Sequence, residues 1–579
     1  MSIGGLITLL LIWGAIVGVV AFLVARHAAP SAADPGASGR RSFQYFLMIV
    51  LLFMTATGGA QLLAVILPGD DTIAGSDPSD LASPLALVVI GLPSYLLLGW
   101  WIRRTAIDDA AERASGGWSA YVNGTLIISL VVSMVAAIAS LAWVLGVADY
   151  EPVALAFFMV YGSVWVAHWF LGHRDLPVPR TQPHLAIGSV AGLFTLTISA
   201  SVALAIALSE IYNQLFSTVL TSDFSESIRL TLAFVIVGVL VWWWHWLRHY
   251  SRFERTEVWN AYVLLLGVLV GLLVAISAAG TALFSLLQWF LGNPGDPSAV
   301  QYFEFLPAVV ATGVVGIIVW WYHRAVLRAS GTGERTEVDR IYQYLLSALG
   351  LATTTIGVTT VLVALIAAVT PEPIAASGAN EIDVLLAAVT ALVIGAPIWW
   401  TTWSSIQRRA SKDPAVELAS PTRNLYLLLL FGLGGLIALG SLLAVMVTAF
   451  GAVLDGSFGG ETIYDMRVPI ALLITVGLVA GYHWSIWRSD REQLPEEMRV
   501  SDKTAVRDVV LLAPDGVDTT GVSAATGANV RVMRRMDDVG VDIDLVIEAI
   551  NTSDDDRIIV LTGTDGDVQV IPVGGLRRS

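Results

Sequence analysis

Four histidines end apolar segments in a recurring aromatic setting, and they are the residues best able to bind a cofactor. They are His168, His245, His323 and His483, each beside tryptophan or tyrosine. A neutral imidazole ligates haem iron or the magnesium of a chlorin, and helical bundles hold such cofactors. A bilayer-spanning cytochrome with two haems needs histidines at two depths, whereas these four share one depth. The pattern therefore favours interfacial anchors, with haem or chlorin ligation as the alternative.

Polar chemistry inside the apolar segments is sparse. Gln61, next to Gly58 and Gly59, is the strongest polar candidate. Its amide is expected to bond across a helix contact where small residues let two backbones approach. Ion and proton pathways retain ionisable groups in the membrane, and these segments hold almost none. No nucleotide-binding glycine loop, nucleophile elbow or zinc-protease motif occurs in a fitting context. We therefore predict no catalytic residue, no metal site and no cofactor.

Thirteen apolar segments must position these residues. Charged residues make up 14% of the 579-residue chain, against roughly 25% in soluble domains. A spanning helix needs about 20 mostly apolar residues, and helices satisfy the backbone within such segments in lipid. The sequence thus predicts an all-α polytopic membrane protein. The segments lie near 3–25, 43–67, 83–102, 121–147, 153–172, 185–208, 228–247, 259–291, 302–323, 342–369, 382–405, 425–453 and 467–487.

Basic residues are confined to alternate loops. Nineteen lysines and arginines lie in one set of loops, and none lies in the other. By the positive-inside rule the basic loops are cytoplasmic, which predicts an outside N-terminus and a cytoplasmic C-terminus. Arginine far exceeds lysine, a bias typical of GC-rich bacterial genomes, so we expect a bacterial cytoplasmic (inner) membrane. The basic loops are 26–42, 103–118, 173–184, 248–258, 324–341 and 407–424.

Tryptophans cluster at the predicted cytoplasmic helix ends. Their rings prefer the headgroup level, where the ring is buried and the N–H reaches water. We therefore expect these side chains to be interfacial anchors. They are Trp100, Trp101, Trp165, Trp242, Trp243, Trp320, Trp321, Trp399 and Trp400.

The spans form an internal repeat. Trp242-Trp243-Trp244-His245 returns as Trp320-Trp321-Tyr322-His323, and Glu254-Arg255-Thr256-Glu257-Val258 returns as Glu334-Arg335-Thr336-Glu337-Val338. In both cases a tyrosine, Tyr262 or Tyr342, follows at the start of the next span. The unit is a helical hairpin, so all units share one membrane orientation and the repeats are parallel. Inverted repeats, common in secondary transporters, are not indicated.

These Trp-Trp-x-His ends and Arg…Tyr helix starts resemble a bacterial family of multi-pass membrane domains of unknown function with tandem Trp-rich hairpins. The resemblance covers residues 85–488 and leaves out residues 1–80 and the C-terminal tail. It implies a membrane location and tandem helices. It supplies no activity and no site residues.

The chain after the last span is predicted to be soluble. We divide the protein into a two-helix segment (1–80), the hairpin repeats (81–488), a linker (489–500) and a small cytoplasmic α+β domain (501–579). Strands are predicted at 509–512, 530–533, 558–562 and 568–571, with a helix over 542–550 and a turn at Asp565-Gly566. We expect this domain to bind another protein, or a second copy, and no nucleic acid.

Three functions remain open from these patterns. The first is a structural, scaffolding or complex-accessory membrane protein without enzymatic activity, favoured by the repeats, the uncharged spans and the missing catalytic motifs. The second is a transporter or channel for a small apolar or weakly polar solute. The third is a haem- or chlorin-binding membrane protein.

Overall fold

A computed structural model describes most of the chain. The predicted first span, near residues 3–25, and the predicted turn at Asp565-Gly566 lie outside the described residues. The described residues are 35–68, 81–108, 115–176, 178–216, 224–253, 255–295, 298–328, 337–370, 381–418, 420–493, 508–513, 519–534, 541–553, 555, 557–562 and 567–573.

Twelve spans in this part of the chain are helical and apolar enough to cross a bilayer, so the protein is a multi-pass membrane protein. They match the predicted segments from 43–67 onward. Each forms a helix because backbone polar groups in lipid must bond within the segment. The helices are α1 (Pro35–Ile66), α2 (Ala82–Asp108), α3 (Gly116–Val144), α4 (Pro152–Asp175), α5 (Gln182–Phe216), α6 (Phe224–Trp242), α7 (Glu257–Ala261), α8 (Val270–Leu291), α9 (Ala299–Tyr302), α10 (Leu306–Arg328), α11 (Glu337–Val369), α12 (Glu381–Lys412), α13 (Pro414–Leu418), α14 (Pro421–Leu454), α15 (Gly460–Asp465) and α16 (Arg467–Gln493).

Two spans contain π-helical winding. Helix α6 continues as a π-helix over Trp243–His249, and a second π-helix over Tyr262–Leu269 joins α7 to α8. Such i→i+5 winding is rare and is frequently found at functional sites. It changes which side chains share a helix face at the end of α6.

Consecutive spans pair as hairpins. We number them hairpin 1 (α1–α2), hairpin 2 (α3–α4), hairpin 3 (α5–α6), hairpin 4 (α7/α8–α10), hairpin 5 (α11–α12) and hairpin 6 (α14–α16). Within hairpins 3, 4 and 5, a glycine of the first helix faces the backbone of a tryptophan in the second. A Cβ at Gly271 would lie 2.7 Å from the Trp320 nitrogen, and one at Gly350 2.6 Å from the Trp399 nitrogen. Small residues thus permit the close helix contact of the repeat.

Hairpins 2 and 4 close onto the hairpin before them. Helix α4 of hairpin 2 packs on α1 of hairpin 1, and α10 of hairpin 4 packs on α5 of hairpin 3. Each such pair of hairpins is a four-helix arrangement in which the first and fourth spans touch. This arrangement places the end of the fourth span beside the preceding hairpin.

The chain divides into two compact units. The first comprises Met1–Thr402 and Ser457–Arg467, and the second comprises Trp403–Gly456 and Val468–Ser579. Hairpins 1 to 4 lie in the first unit. The C-terminal tail lies in the second.

The tail contains a small α+β domain, as predicted. Strands β1 (Asp508–Ala513), β2 (Asn529–Arg534), β3 (Arg557–Thr562) and β4 (Val568–Pro572) form one sheet of order β2-β1-β3-β4. Strand β1 is parallel to β2 and β3, whereas β4 is antiparallel to β3. The four predicted strands and the helix α18 (Ile543–Thr552) are present. The sequence reasoning missed α17 (Thr519–Thr526), which is short and rich in threonine, serine and glycine.

Both tail helices cover the same face of the sheet. Val522 of α17 and Val546 of α18 pack in one core with Val509 and Leu511 of β1. Because alternate residues of a strand point to opposite faces, Val510 and its neighbours in the sheet point away from this core. No described helix of the tail covers that second face.

Candidate functional site

The four predicted histidines are buried near the ends of the second helices of their hairpins. In each, the imidazole Nδ1 bonds the backbone carbonyl four residues earlier. Carbonyl oxygens only accept, so Nδ1 carries the proton and Nε2 presents a lone pair. The distances are 2.8 Å for His168 to Val164, 2.9 Å for His245 to Val241, 2.8 Å for His323 to Val319 and 2.8 Å for His483 to Val479.

A tyrosine from the first helix meets three of these histidines edge-on. These histidines lie in hairpins 2, 4 and 6, the even-numbered ones. Aromatic rings prefer this tilted arrangement to a face-to-face sandwich. The ring centroids are separated by 5.5 Å for Tyr121–His168, 5.8 Å for Tyr262–His323 and 5.9 Å for Tyr426–His483, with interplanar angles of 64°, 67° and 70°.

Tryptophan–tyrosine hydrogen bonds join these clusters to the neighbouring span. Trp246 donates from Nε1 to the Tyr322 hydroxyl at 2.9 Å. Trp403 donates in the same way to Tyr482 at 2.7 Å. In both cases the acceptor tyrosine directly precedes the buried histidine. The bond therefore fixes the histidine-bearing helix against the end of the span that precedes the hairpin.

In hairpin 2, a different set of hydrogen bonds joins the histidine-bearing helix to the span that precedes the hairpin. The Tyr121 hydroxyl is 2.9 Å from Nε2 of His168, and the Tyr95 hydroxyl is 2.8 Å from that of Tyr121. Because the His168 Nε2 is the acceptor, Tyr121 donates to it and Tyr95 donates to Tyr121. The chain links α2, α3 and α4.

The enclosure of His323 and His483 does not fit a haem or chlorin. Neither histidine exposes any of its surface. The His323 ring lies 5.0 Å from Tyr322 and 6.0 Å from Trp246, and a Cβ on Gly267 would overlap it. Nε2 of each has no hydrogen-bond partner in the described residues. A macrocycle over Nε2 would have to displace the aromatic rings.

The predicted tryptophan anchors divide into two groups. One group is exposed at the helix ends, as an interfacial anchor requires, and the other is half-buried in helix contacts. The sequence predicted one role for both groups, because adjacent tryptophans differ only in the helix face that they occupy. Exposed are Trp100, Trp101, Trp243, Trp321 and Trp400, and half-buried are Trp165, Trp242, Trp320 and Trp399.

Gln61 lies half-buried in α1. Its Oε1 has no hydrogen-bond partner among the described residues, so the expected bond across a helix contact is not formed by this atom. Gly58, one turn earlier, does meet the neighbouring helix, since a Cβ there would lie 2.8 Å from that of Leu87. Gly58, rather than the amide, makes the contact, whereas a Cβ at Gly59 would meet nothing within 4 Å.

A buried ion pair in hairpin 6 was not predicted. Arg423 Nε lies 2.6 Å from Asp490 Oδ2, and its Nη2 lies 3.0 Å from Oδ1. The two side chains are 1% and 10% exposed. Gln407 accepts a further bond from the guanidinium at 3.0 Å. This two-point geometry is the strong form of an arginine–carboxylate contact. In the sequence, this arginine is part of the Arg…Tyr pattern at the start of a span.

A crevice of about 740 Å³ lies between hairpins 2 and 3, in the first unit. Its wall is apolar and comes from α3, α4 and the end of α6. His245 lines it, together with Trp165 and Trp244. Of the four predicted histidines, His245 lines this crevice, although its surface is only 1% exposed, while His323 and His483 are fully enclosed.

Three further histidines gather near this crevice around Trp169. The ring centroid of Trp169 lies 4.5 Å from His173, 5.5 Å from His184 and 4.9 Å from His249. Among the described residues, no three histidine or carboxylate side chains are arranged to hold a metal ion. The sequence offered a local signal for one member of this cluster, the i, i+4 spacing of Trp169 and His173.

A family model described as a domain of unknown function (DUF5671) matches the chain three times in tandem, over residues 41–155, 184–322 and 340–478. These segments together cover more than half of the chain. The first match begins inside α1. Residues 41–80, which lay outside the resemblance seen in the sequence, are therefore part of a family domain. The second ends directly before His323. No curated protein and no solved structure matches the chain.

Proposed function

The chain belongs to this family of membrane domains, DUF5671, and we propose that it is a structural or complex-accessory protein of a bacterial cytoplasmic membrane. The observation that carries the proposal is the enclosure of the repeated aromatic–histidine clusters. The histidine Nδ1 atoms bond the helix backbone and two tryptophans bond tyrosines of the neighbouring span. The rings leave no opening at His323 or His483. Such clusters hold hairpins together.

The proposed cytoplasmic orientation of the tail is supported by the charges of the loops. Nineteen basic residues lie in one set of loops and none in the alternate set. With thirteen spans, the N-terminus lies outside and the tail inside. The second through thirteenth of these spans are helices in the described residues.

The tail is the proposed interaction module. Its uncovered sheet face carries Val510 paired with Ile559, and Leu512 paired with Leu561. At the sheet edge, Met533 beside Leu512 is 59% exposed. A contiguous apolar patch on a soluble domain is typical of a binding surface. The partner is another protein or a second copy of this chain.

Site-specific photocrosslinking in cells tests this proposal on the full-length chain. A photoreactive residue at Met533 probes the uncovered face, and one at Leu545, which is 42% exposed on α18, is the matched control. We expect a discrete protein adduct from position 533 and none from position 545. Absence of any adduct from position 533 would contradict an interaction module.

A transporter for an apolar or weakly polar solute is the second candidate, favoured by the crevice beside His245. It predicts solute flux across proteoliposomes, which a scaffold lacks. The test positions are Gln61, Glu210 near the end of α5 and Asp383 in the first turn of α12. A flux that is abolished by Gln61→Leu, Glu210→Gln or Asp383→Asn would replace the structural proposal.

A visible absorption spectrum of the detergent-purified protein distinguishes a cofactor-binding protein from a structural protein and from a transporter. We expect absorbance from protein alone. A Soret or chlorin band that disappears in His245→Leu and His323→Leu would make the histidines cofactor ligands.

A further inference from the structure

The hydrogen bond between Tyr121 and His168 distinguishes hairpin 2 from hairpins 4 and 6. In all three hairpins a tyrosine of the first helix meets the histidine edge-on at nearly the same ring distance. Nε2 of His323 and of His483 has no hydrogen-bond partner in the described residues, so their tyrosines do not bond it. Tyr121 instead donates to Nε2 of His168 at 2.9 Å. One of three equivalent phenols therefore has a base at its proton.

His168 is oriented to take that proton. Its Nδ1–H is held by the Val164 carbonyl at 2.8 Å, which leaves the lone pair of Nε2 for the Tyr121 hydroxyl. A neutral imidazole is a proton acceptor, and the same carbonyl stabilises the imidazolium that results. The Tyr95 hydroxyl donates to the Tyr121 oxygen at 2.8 Å and still does so after the proton has left. These bonds favour loss of an electron from Tyr121 together with its proton, because the high-energy phenol radical cation is then avoided.

A tryptophan connects Tyr121 to the surface. The rings of Trp118 and Tyr121 are stacked at 22°, with their centroids 5.4 Å apart. Trp118 lies in the first turn of α3 and is half-buried, whereas Tyr121 is 1% exposed. The Nε1–H of Trp118 is buried and has no acceptor in the described residues. An oxidised Trp118 therefore keeps its proton and remains a strong oxidant, so that it takes an electron from Tyr121.

Hairpin 4 contains the matched arrangement without the base. Trp259 precedes Tyr262 by three residues, as Trp118 precedes Tyr121, and its Nε1–H also lacks an acceptor in the described residues. The Tyr262 hydroxyl accepts a bond from Trp242 at 3.1 Å. It does not bond Nε2 of the neighbouring histidine. The two hairpins thus differ in the proton acceptor of the tyrosine, and Tyr262 is the internal control.

We propose that Tyr121 is a redox-active tyrosine that reduces one-electron oxidants, with His168 as the acceptor of its proton. The oxidants are small oxygen-centred radicals such as the carbonate radical anion, which reacts with indole and phenol rings. The radical anion takes an electron from Trp118 and becomes carbonate, and an electron then moves from Tyr121 to Trp118. The Tyr121 proton moves to Nε2 of His168, which leaves a neutral tyrosyl radical and an imidazolium. This activity goes beyond a structural role, because it consumes an oxidant.

Pulse radiolysis of the full-length protein in bicarbonate-buffered detergent tests the proposal, with the carbonate radical anion as the oxidant. Optical absorption follows the conversion of a tryptophanyl into a tyrosyl radical, and high-field EPR of rapidly frozen samples characterises the product. We expect a tyrosyl signal with the exchangeable proton couplings of a radical that is hydrogen-bonded to His168 and Tyr95. Its formation should slow in D2O, since the proton moves together with the electron. An equal rate in D2O and H2O would overturn the proposal.

Three variants identify the site. Tyr121→Phe should abolish this signal, and the control Tyr262→Phe should retain it. His168→Gln keeps a hydrogen-bond acceptor for Tyr121 but cannot take its proton, so it should abolish the signal while the unfolding midpoint stays near that of the wild type. A signal that survives in Tyr121→Phe or His168→Gln, or that is lost equally in Tyr262→Phe, would overturn the proposal. The D2O measurement on the wild type decides the question if His168→Gln does not fold.

Discussion

His245 and His323 occupy the same position of the hairpin repeat and differ in what surrounds them. Both follow a run of aromatic residues, both bond the carbonyl four residues earlier, and both lie against a glycine of the first helix. His323 is enclosed by Trp246, Tyr262 and Tyr322, whereas His245 borders an open crevice.

The difference lies in the neighbouring hairpin. Hairpin 4 closes onto hairpin 3, so Trp246 and Tyr322 come together over His323. Among the described residues, no such closing bond joins hairpin 3 to the end of hairpin 2. The same local motif is therefore an enclosed contact in one place and the wall of a crevice in another. Changes that crowd the histidine should therefore cost more stability in the enclosed cluster than beside the crevice.

The enclosed cluster of His483 should show the largest effect, because a buried ion pair lies beside it in hairpin 6. Asp490→Leu leaves the Arg423 guanidinium buried without its carboxylate, and we expect a loss of about 3–5 kcal/mol of stability. Unfolding in mixed micelles, followed by tryptophan fluorescence, measures it. The double variant Arg423→Met/Asp490→Leu is the control and should recover most of the loss. A single variant as stable as the wild type would contradict the structural role.

Glycine substitutions compare the enclosed and open histidines directly. A Cβ at Gly267 overlaps the His323 ring, which is held by its neighbours, so Gly267→Ala should cost about 1–3 kcal/mol. A Cβ at Gly188 overlaps the His245 ring, which can move toward the crevice, so the loss there should be smaller. Gly440→Ala, with nothing within 4 Å, is the control. Equal losses at both positions in the same unfolding titration would remove the distinction.

The closing tryptophan–tyrosine hydrogen bond should contribute part of the stability of the enclosed cluster. Tyr322→Phe leaves the buried Nε1–H of Trp246 without its acceptor, which should destabilise the protein by about 1–3 kcal/mol. Tyr482→Phe removes the equivalent acceptor of Trp403 and should act similarly. Thermal unfolding of the two variants measures both effects. If neither lowers the midpoint, these bonds do not stabilise the clusters.

Replacing the enclosed histidine itself should have the smallest effect. His323→Leu removes an Nε2 that has no partner and keeps an apolar side chain of similar size, so stability should change by about 1 kcal/mol or less. His245→Leu should be equally mild for stability, because leucine is also compatible with the apolar wall of the crevice. If His323→Leu did not fold, this would indicate a cofactor bound at Nε2, for which the enclosed structure leaves no room.

Much of the architecture follows from local sequence. Hydropathy over windows the length of a span predicted the helices, since a helix in lipid depends only on its own segment. Alternation of apolar residues predicted the four tail strands. The four histidines were identified because each ends a span beside aromatic residues, which is also a local pattern.

The partners of those histidines were beyond such reasoning. Tyr322 and Trp246 are 76 residues apart, and Arg423 and Asp490 are 67 apart, so their contacts depend on how hairpins close. The sorting of paired tryptophans into exposed and half-buried ones depends on helix rotation. The π-winding that brings Trp244 to His249 leaves no local signature in the sequence.

The sequence by itself determined that this chain lies in a membrane as tandem hairpins, because burial in lipid acts on each segment separately. It also determined where imidazole and indole groups occur. Only the tertiary structure decided which of these groups are enclosed and which border a crevice. Which groups are enclosed depends on contacts between spans that are far apart in the chain. Close packing of the rings against glycine and backbone allows one arrangement at each hairpin junction.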